Sequence, residues 1–264
     1  MEIIHLSDSH IGPEPDFNFK GVRTLERFRT LLDAVLALPF RPDAVVHTGD
    51  VANHPSREAY ALAGAEMARL DVPVYYACGN HDDAGMMGEL LSMGATIPLV
   101  DAGSPLAYRV EGEDTELVVI DASDPEKKGA WGEVPPNQLD ALEGVLGAEG
   151  RPVALFCHFP ALPVGCRWMD EHLLLRNGER LHGILRDAGP ARVRGMFFGH
   201  VHHGIQISRE GVTHCGVGSV SVRFDMNPAD RAPVFEPAAP AFFNHISFGE
   251  KETIVRQHSL DISD

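Results

Sequence analysis

The chain has 264 residues, 44% of them hydrophobic, with a formal net charge of −16 and a pI near 5.2. This is ordinary globular composition with enough apolar material for a sizeable core, and it excludes a disordered chain. The acidic balance also argues against a long nucleic acid as the main partner, because backbone binding draws most of its affinity from basic side chains that displace counterions.

The run Ile3–Leu6 reads as a buried strand leading into Ser7-Asp8-Ser9-His10. Val22, Leu25, Phe28, Leu31, Leu32, Val35 and Leu36 recur at three- and four-residue spacing, which predicts an amphipathic helix ended by Pro39 and Pro42. A second strand, Ala44–His47, stops at Thr48-Gly49-Asp50. Ser56 is placed to cap a helix to about Leu70, with Glu58 and Glu66 on its polar face. A third strand, Val72–Ala77, closes at Gly79-Asn80-His81-Asp82, and further strands read at Leu106–Glu111, Glu116–Asp121, Val153–Cys157 and Val193–Phe198. Pro136 suits the first turn of a helix to about Leu146, and another helix is expected from about Asp170 to Arg186. Glu111–Thr115 and Arg209–Gly211 look like hairpin turns. The stretch Asn227–Pro240, with Pro228, Pro233, Pro237 and Pro240, reads as an excursion before a final strand pair, Ala241–Phe248 and Thr253–His258.

This alternation predicts helices layered on largely parallel sheets. The expected division is a catalytic unit over residues 1–222 and a C-terminal extension over 223–264 that completes a sheet and is a candidate cap or subunit contact. No stretch approaches 18 apolar residues, so no membrane span is expected, and the N-terminus has no basic leader. Cys78, Cys157, Cys166 and Cys215 form no CxxC pair and imply no disulfide framework. Cytoplasm is the default compartment.

Five polar clusters each follow a strand-like run: Asp8-Ser9-His10, Gly49-Asp50, Gly79-Asn80-His81-Asp82, His158-Phe159-Pro160 and Gly199-His200-Val201-His202. Ligands in open α/β sheets sit at the carboxyl ends of strands, so the five ends are expected to converge. Carboxylate, amide and imidazole donors without thiolate suit divalent Mn, Fe, Zn or Co. Seven such residues exceed the needs of one ion and fit two that share a carboxylate and clamp a phosphoryl group.

The ordered set D-x-H, GD, GNH[DE], H and GHxH over residues 8–202 resembles the calcineurin-like metallophosphoesterase superfamily. The resemblance implies a four-layer α/β sandwich of two mixed sheets flanked by helices. It also implies that Asp8, His10 and His202 bind one metal, that Asn80, His158 and His200 bind the other, and that Asp50 bridges them. His81 is then expected above the metals as a phosphate contact or leaving-group acid, with a metal-bound hydroxide attacking phosphorus in line. Looser matches, including Met169-Asp170, Asn177-Gly178 and Gln257-His258-Ser259-Leu260, resemble the bacterial branch of cyclic-nucleotide phosphodiesterases and glycerophosphodiesterases. One departure is Phe159, where many relatives carry a second histidine. The reading is therefore a phosphodiesterase acting on a small-molecule phosphodiester, a cyclic nucleotide or a glycerophosphodiester. The alternative is a phosphomonoesterase on a small phosphate or phosphoprotein, which Val51-Ala52-Asn53 after the GD motif and GNHD in place of GNHE disfavour. A homo-oligomer is left open.

The remaining histidines, His5, His47, His172, His182, His214, His245 and His258, are read as structural. Asn53 and His54 are candidates to line the pocket, Asp82 to brace His81 or a ligand, Asp83 to be solvated, His203 to be a surface strand residue and Cys157 to be core.

Overall fold

The computed structural model describes residues 1–124, 126 and 129–262; residues 263 and 264 of the expected C-terminal extension lie outside the described residues. Two sheets carry the architecture. The first has the strand order Thr253–Leu260, Ala241–Phe248, Glu2–Leu6, Ala44–His47, Val74–Tyr76. Glu2–Leu6 is parallel to Ala44–His47 on one side and antiparallel to Ala241–Phe248 on the other. The second sheet runs Ile205–Arg209, Val212–Gly216, Val193–Phe198, Val153–Phe156, Glu116–Val119, Tyr108–Val110, Ile97–Pro98, with a parallel centre and antiparallel margins.

The central strands read as continuous apolar runs because both their faces are covered. Ile3, Val45 and Tyr75 of the first sheet share one buried cluster with Leu117, Phe156 and Phe197 of the second, and the His5 ring meets Phe156 and Phe197 edge-on. Phe28, Leu31, Tyr60 and Ala63, from helices Thr24–Leu36 and Arg57–Met67, pack on the first sheet. Leu139, Leu142, Leu181 and Leu185, from helices Pro136–Gly147 and Gly178–Ala188, cover the outer face of the second. The layers are therefore helix, sheet, sheet, helix.

Local chemistry explains most boundaries. Ser56 Oγ accepts from Ala59 N at 3.1 Å and starts its helix, and Pro136 occupies the first turn of another. The helix from Thr24 ends at Leu36, before Pro39, and the one capped by Ser56 tightens into a short 3₁₀ turn, Ala68–Leu70. Glu66 is buried rather than on a wet polar face, because Arg29 and Arg69 both donate to it. The single helix expected from Asp170 to Arg186 is two, Arg167–His172 and Gly178–Ala188. The break is tied down by Asn177, whose side-chain amide donates to Val134 O and whose oxygen accepts from Val134 N. Gly178 then lies so close to Ala161 that a Cβ there would be 2.1 Å from the Ala161 carbonyl oxygen.

Elements absent from the sequence reading are the helix Ala84–Leu90, the strand Ile97–Pro98 and two small hairpins, Asn18–Phe19 with Val22–Arg23 and Arg223–Phe224 with Phe235–Glu236. Asp83 is not simply solvated, since its carboxylate accepts from Met86 N at 2.8 Å and caps that missed helix. His203 lies off the strands, and its ring donates to Phe224 O at 2.6 Å.

Candidate metal centre

The strand ends converge at one mouth of the sandwich. Asp8 and His10 follow Glu2–Leu6, Asp50 follows Ala44–His47, Asn80 and His81 follow Val74–Tyr76, His158 follows Val153–Phe156, and His200 and His202 follow Val193–Phe198. Three groups of closely spaced donors form there: Asp8 with His10 and His202, His10 with Asp50 and His81, and Asp50 with His158 and His200. Asp50 Oδ2 lies 3.7 Å from His10 Nε2 and 3.5 Å from His158 Nε2, so one carboxylate faces both outer groups. His202 Nε2 is 3.3 Å from Asp8 Oδ1, and Asn80 Oδ1 is 3.2 Å from His158 Nε2.

The backbone is bent to make this possible. Among the described residues, eight other than glycine have positive φ, and Asp8, His10, Asp50, His200 and His202 are five of them. Such conformations are costly for side chains with a Cβ and persist only where the surroundings enforce them. Close approach does the enforcing. A Cβ on Gly79 would lie 2.1 Å from Asp50 Oδ1, and one on Gly199 would lie 1.8 Å from Ser7 Oγ. The Asp8 carbonyl accepts from the hydroxyls of Ser219 and Ser221 at 3.0 and 2.8 Å.

The outer hydrogen bonds set the tautomers. His158 Nδ1 meets Thr48 O and His202 Nδ1 meets Val222 O, each at 2.6 Å. A carbonyl only accepts, so both Nδ1 atoms carry hydrogen and both Nε2 atoms turn inward. His158 Nε2 then faces Asn80 Oδ1, an acceptor, so either a proton on Nε2 or a cation shared by the two atoms must stand between them. Burial opposes protonation of His158, yet the Asp50 and Asp8 carboxylates push it up to about 9. Burial would raise Asp50, but the facing imidazoles of His158 and His81 hold its carboxyl well below the usual carboxylate range. Asp8 is likewise held low, against burial, chiefly by His202. Burial keeps His10 and His200 neutral, down to about 3, despite Asp50.

The donor set therefore fits divalent cations. Asp8 Oδ1 and His200 Nε2 are buried with no hydrogen-bond partner, and the inward imidazole nitrogens of His10 and His202 stand 3.3 Å apart. Buried polar atoms left this way are costly unless something else binds them.

His81 stands beside the donors, its backbone N donating to Asp50 Oδ1 at 2.9 Å and its Nδ1 held by Asn53 O at 2.8 Å. Asn80 and His81 are half-buried, while the other donors are enclosed, so this edge is the way in. Asp82 braces neither the His81 ring nor a donor directly. It accepts from the backbone amides of Val51, Ala52 and Gly79 and from the Tyr60 hydroxyl, tying two of the strand-end loops together. His54 is exposed, 6.1 Å ring to ring from His81. His5 and His47 are buried beneath the centre on Thr48 and Ser9. Cys157 is buried and its thiol is pushed up to about 12 by burial, which makes it core. Ser219 and Ser221 escaped the sequence reading; two hydroxyls at alternate positions within the apolar run Val217–Val222 were the available signal.

With this geometry the chain matches the calcineurin-like phosphoesterase family over residues 1–204, and it belongs to that family. By that membership it is a phosphoester hydrolase. It is 30% identical over 227 residues to the 3',5'-cyclic adenosine monophosphate phosphodiesterase CpdA of Escherichia coli K12, covering 85% of this chain and 78% of that protein. It is 28% identical over 265 residues to the glycerophosphodiester phosphodiesterase GpdQ of Enterobacter lignolyticus, covering 98% and 91% respectively. Among solved structures, the purple acid phosphatase PPD1 of yellow lupin superposes with a TM-score of 0.65 at 13% identity over 98% of this chain, which spans only 51% of that longer protein. No helix among the described residues is long and apolar enough to cross a membrane.

Proposed function

We propose that the chain is a dinuclear-metal phosphodiesterase for a small phosphodiester, a cyclic nucleotide or a glycerophosphodiester. The observation that carries the reading is Asp50, one carboxylate facing His10 on one side and His158 on the other. In this reading Asp8, His10 and His202 hold one divalent ion, Asn80, His158 and His200 hold the second, and Asp50 bridges. Mn, Fe, Zn and Co all suit the donors. When bound, such a pair supplies Lewis acidity toward the phosphoryl oxygens and an activated water for in-line displacement.

The chain's own residues do the rest. Thr48 and Val222 carbonyls fix two imidazoles so that no reorganisation is needed as charge develops. His81 has its Nδ1–H committed to Asn53 O, so it is as the imidazolium that its Nε2 would donate to a phosphoryl oxygen or give a proton to the departing alkoxide. The names of the relatives support a diester substrate. Residues 1–222 are read as the catalytic unit, 223–264 as its extension, and the cytoplasm as the compartment, in keeping with four buried free cysteines.

The test is hydrolysis of bis-p-nitrophenyl phosphate beside p-nitrophenyl phosphate by chelator-stripped protein with Mn added. A metal-dependent preference for the diester is expected, lost in Asp50→Ala together with bound metal. Preference for the monoester would replace the reading with a phosphatase; turnover by metal-free Asp50→Ala would remove the ligand assignment.

A further inference from the structure

The donors Asp8, His10 and His202 are walled by phenylalanines from the two small hairpins. His10 stacks on Phe19 with ring centroids 4.7 Å apart and planes 20° from parallel. Phe19 meets Phe235 edge-on at 6.3 Å, Phe235 meets Phe224 at 5.0 Å, and Phe224 lies 4.4 Å from His202. His202 returns to His10 at 5.2 Å, so five rings close a loop beside one half of the centre. Among the described residues the other half has no such loop of rings; Phe159 is the phenylalanine whose ring meets His158 and His200 there.

Three properties mark the wall as a substrate surface rather than core. Phe19, Phe224 and Phe235 are only half-buried, although each packs against other rings. Exposed Lys20 sets its ammonium 4.6 Å from the Phe235 ring centroid, which puts a cation at the rim of a strongly acidic chain whose substrate is an anion. Phe224 and Phe235 also lie beyond residues 1–204, outside the stretch that matches the family. The wall is thus built largely from the part of the chain least tied to the shared chemistry.

Glycerol-like ester groups are polar and saturated and gain little from a row of phenyl faces. A planar base gains stacking and loses no hydrogen bond by facing them. We infer that Phe19, Phe224 and Phe235 form an aromatic subsite that receives the nucleobase of a phosphodiester whose phosphorus sits at the metal centre. The inference rests on the proposed diesterase reading and narrows it to substrates with a nucleobase.

The experiment measures equilibrium binding of adenosine 5'-monophosphate and glycerol 3-phosphate to the Mn-loaded protein, by calorimetry, in the parent, Phe235→Leu and Phe235→Tyr. Leucine keeps apolar bulk without a ring face, and tyrosine keeps the face. The parent is expected to prefer the nucleotide, the preference to fall about tenfold in Phe235→Leu, and to survive in Phe235→Tyr. A parent ratio near one, or a preference that survives in Phe235→Leu, overturns the subsite. Hydrolysis of 3',5'-cyclic AMP and glycerophosphoethanolamine is run alongside. Failure to hydrolyse either diester would count against the diesterase reading, while the binding ratio still decides the wall.

Discussion

Asp82 is the place to test whether the loops at the centre are held by the bonds described. Its Oδ1 accepts from Ala52 N at 3.0 Å and Tyr60 Oη at 3.2 Å, and its Oδ2 from Val51 N at 3.1 Å and Gly79 N at 3.2 Å. In Asp82→Asn one oxygen becomes an amide NH2. With that group at the Oδ1 position the Tyr60 hydroxyl can turn and accept, which leaves the Ala52 N–H facing a donor; the opposite flip sets two N–H groups against it. The cheaper arrangement loses one hydrogen bond to a charged acceptor, about 1.5–3 kcal/mol, and weakens those that remain. Burial and the neighbouring Asp50 charge push the Asp82 carboxyl up to about 6, so removing its charge returns part of this cost and the net expectation is about 1 kcal/mol. For a chain of this size that is a fall in Tm of roughly 2–4 °C, read by circular dichroism on metal-free protein. Because the same carboxylate joins the loops bearing Asp50 and Asn80, Mn affinity is expected to drop about 10- to 100-fold. Tyr60→Phe, which removes the hydroxyl bonds to Asp82 and to Asp83 N, should cost about 1 kcal/mol. A Tm for Asp82→Asn equal to or above that of the parent, with Mn affinity unchanged, would refute the reasoning.

Gly79→Ala would set a methyl against the Asp50 carboxylate and backbone, so bound Mn per chain, measured by elemental analysis, should fall below that of the parent while the strands remain folded. Ser56→Ala removes a helix cap and is expected to cost about 1 kcal/mol, a Tm decrease of roughly 2–4 °C in the same melt. His214 is held neutral by burial and by neighbouring His182, down to about 4 from an ordinary 6.5. The unfolded chain takes up that proton first, so the contribution is intact above pH 6.5 and is lost as pH falls toward 4. Urea midpoints at pH 7 and pH 5 should differ less in His214→Phe than in the parent, by about 2 kcal/mol once converted to free energy.

The strand-end residues were legible because each sits directly after a short apolar run and is fixed by a turn glycine or an ordered motif. The helix stripe from Val22 and the Ser56 cap were legible for equally local reasons. The helix Ala84–Leu90 was not, because Gly85 and Gly88 depress its propensity and its cap, Asp83, follows directly on the polar cluster. The split between His172 and Gly178 depends on Asn177 reaching Val134, a contact remote in sequence. The left-handed backbone at Asp8, His10, Asp50, His200 and His202 leaves no mark in a side-chain pattern, since these residue types are common in ordinary conformations. Phe19, Phe224 and Phe235 lie in short segments far apart in the chain, and only the folded hairpins bring them beside the imidazoles.

The hydroxyls of Ser219 and Ser221 on the Asp8 carbonyl, and the pairing of Glu2–Leu6 with Ala241–Phe248, have a consequence for biosynthesis. At about 5–20 residues per second, a ribosome makes Asp8 roughly 10–40 s before it makes the serines that hold it. Throughout that interval the first strand of the central sheet exposes one edge, and the Asp8 carbonyl lacks the two hydroxyls that hold it, although its N–H can already reach Gly49 O. The cluster is therefore finished late in translation, only after Ser219, Ser221 and the strand Ala241–Phe248 have been made.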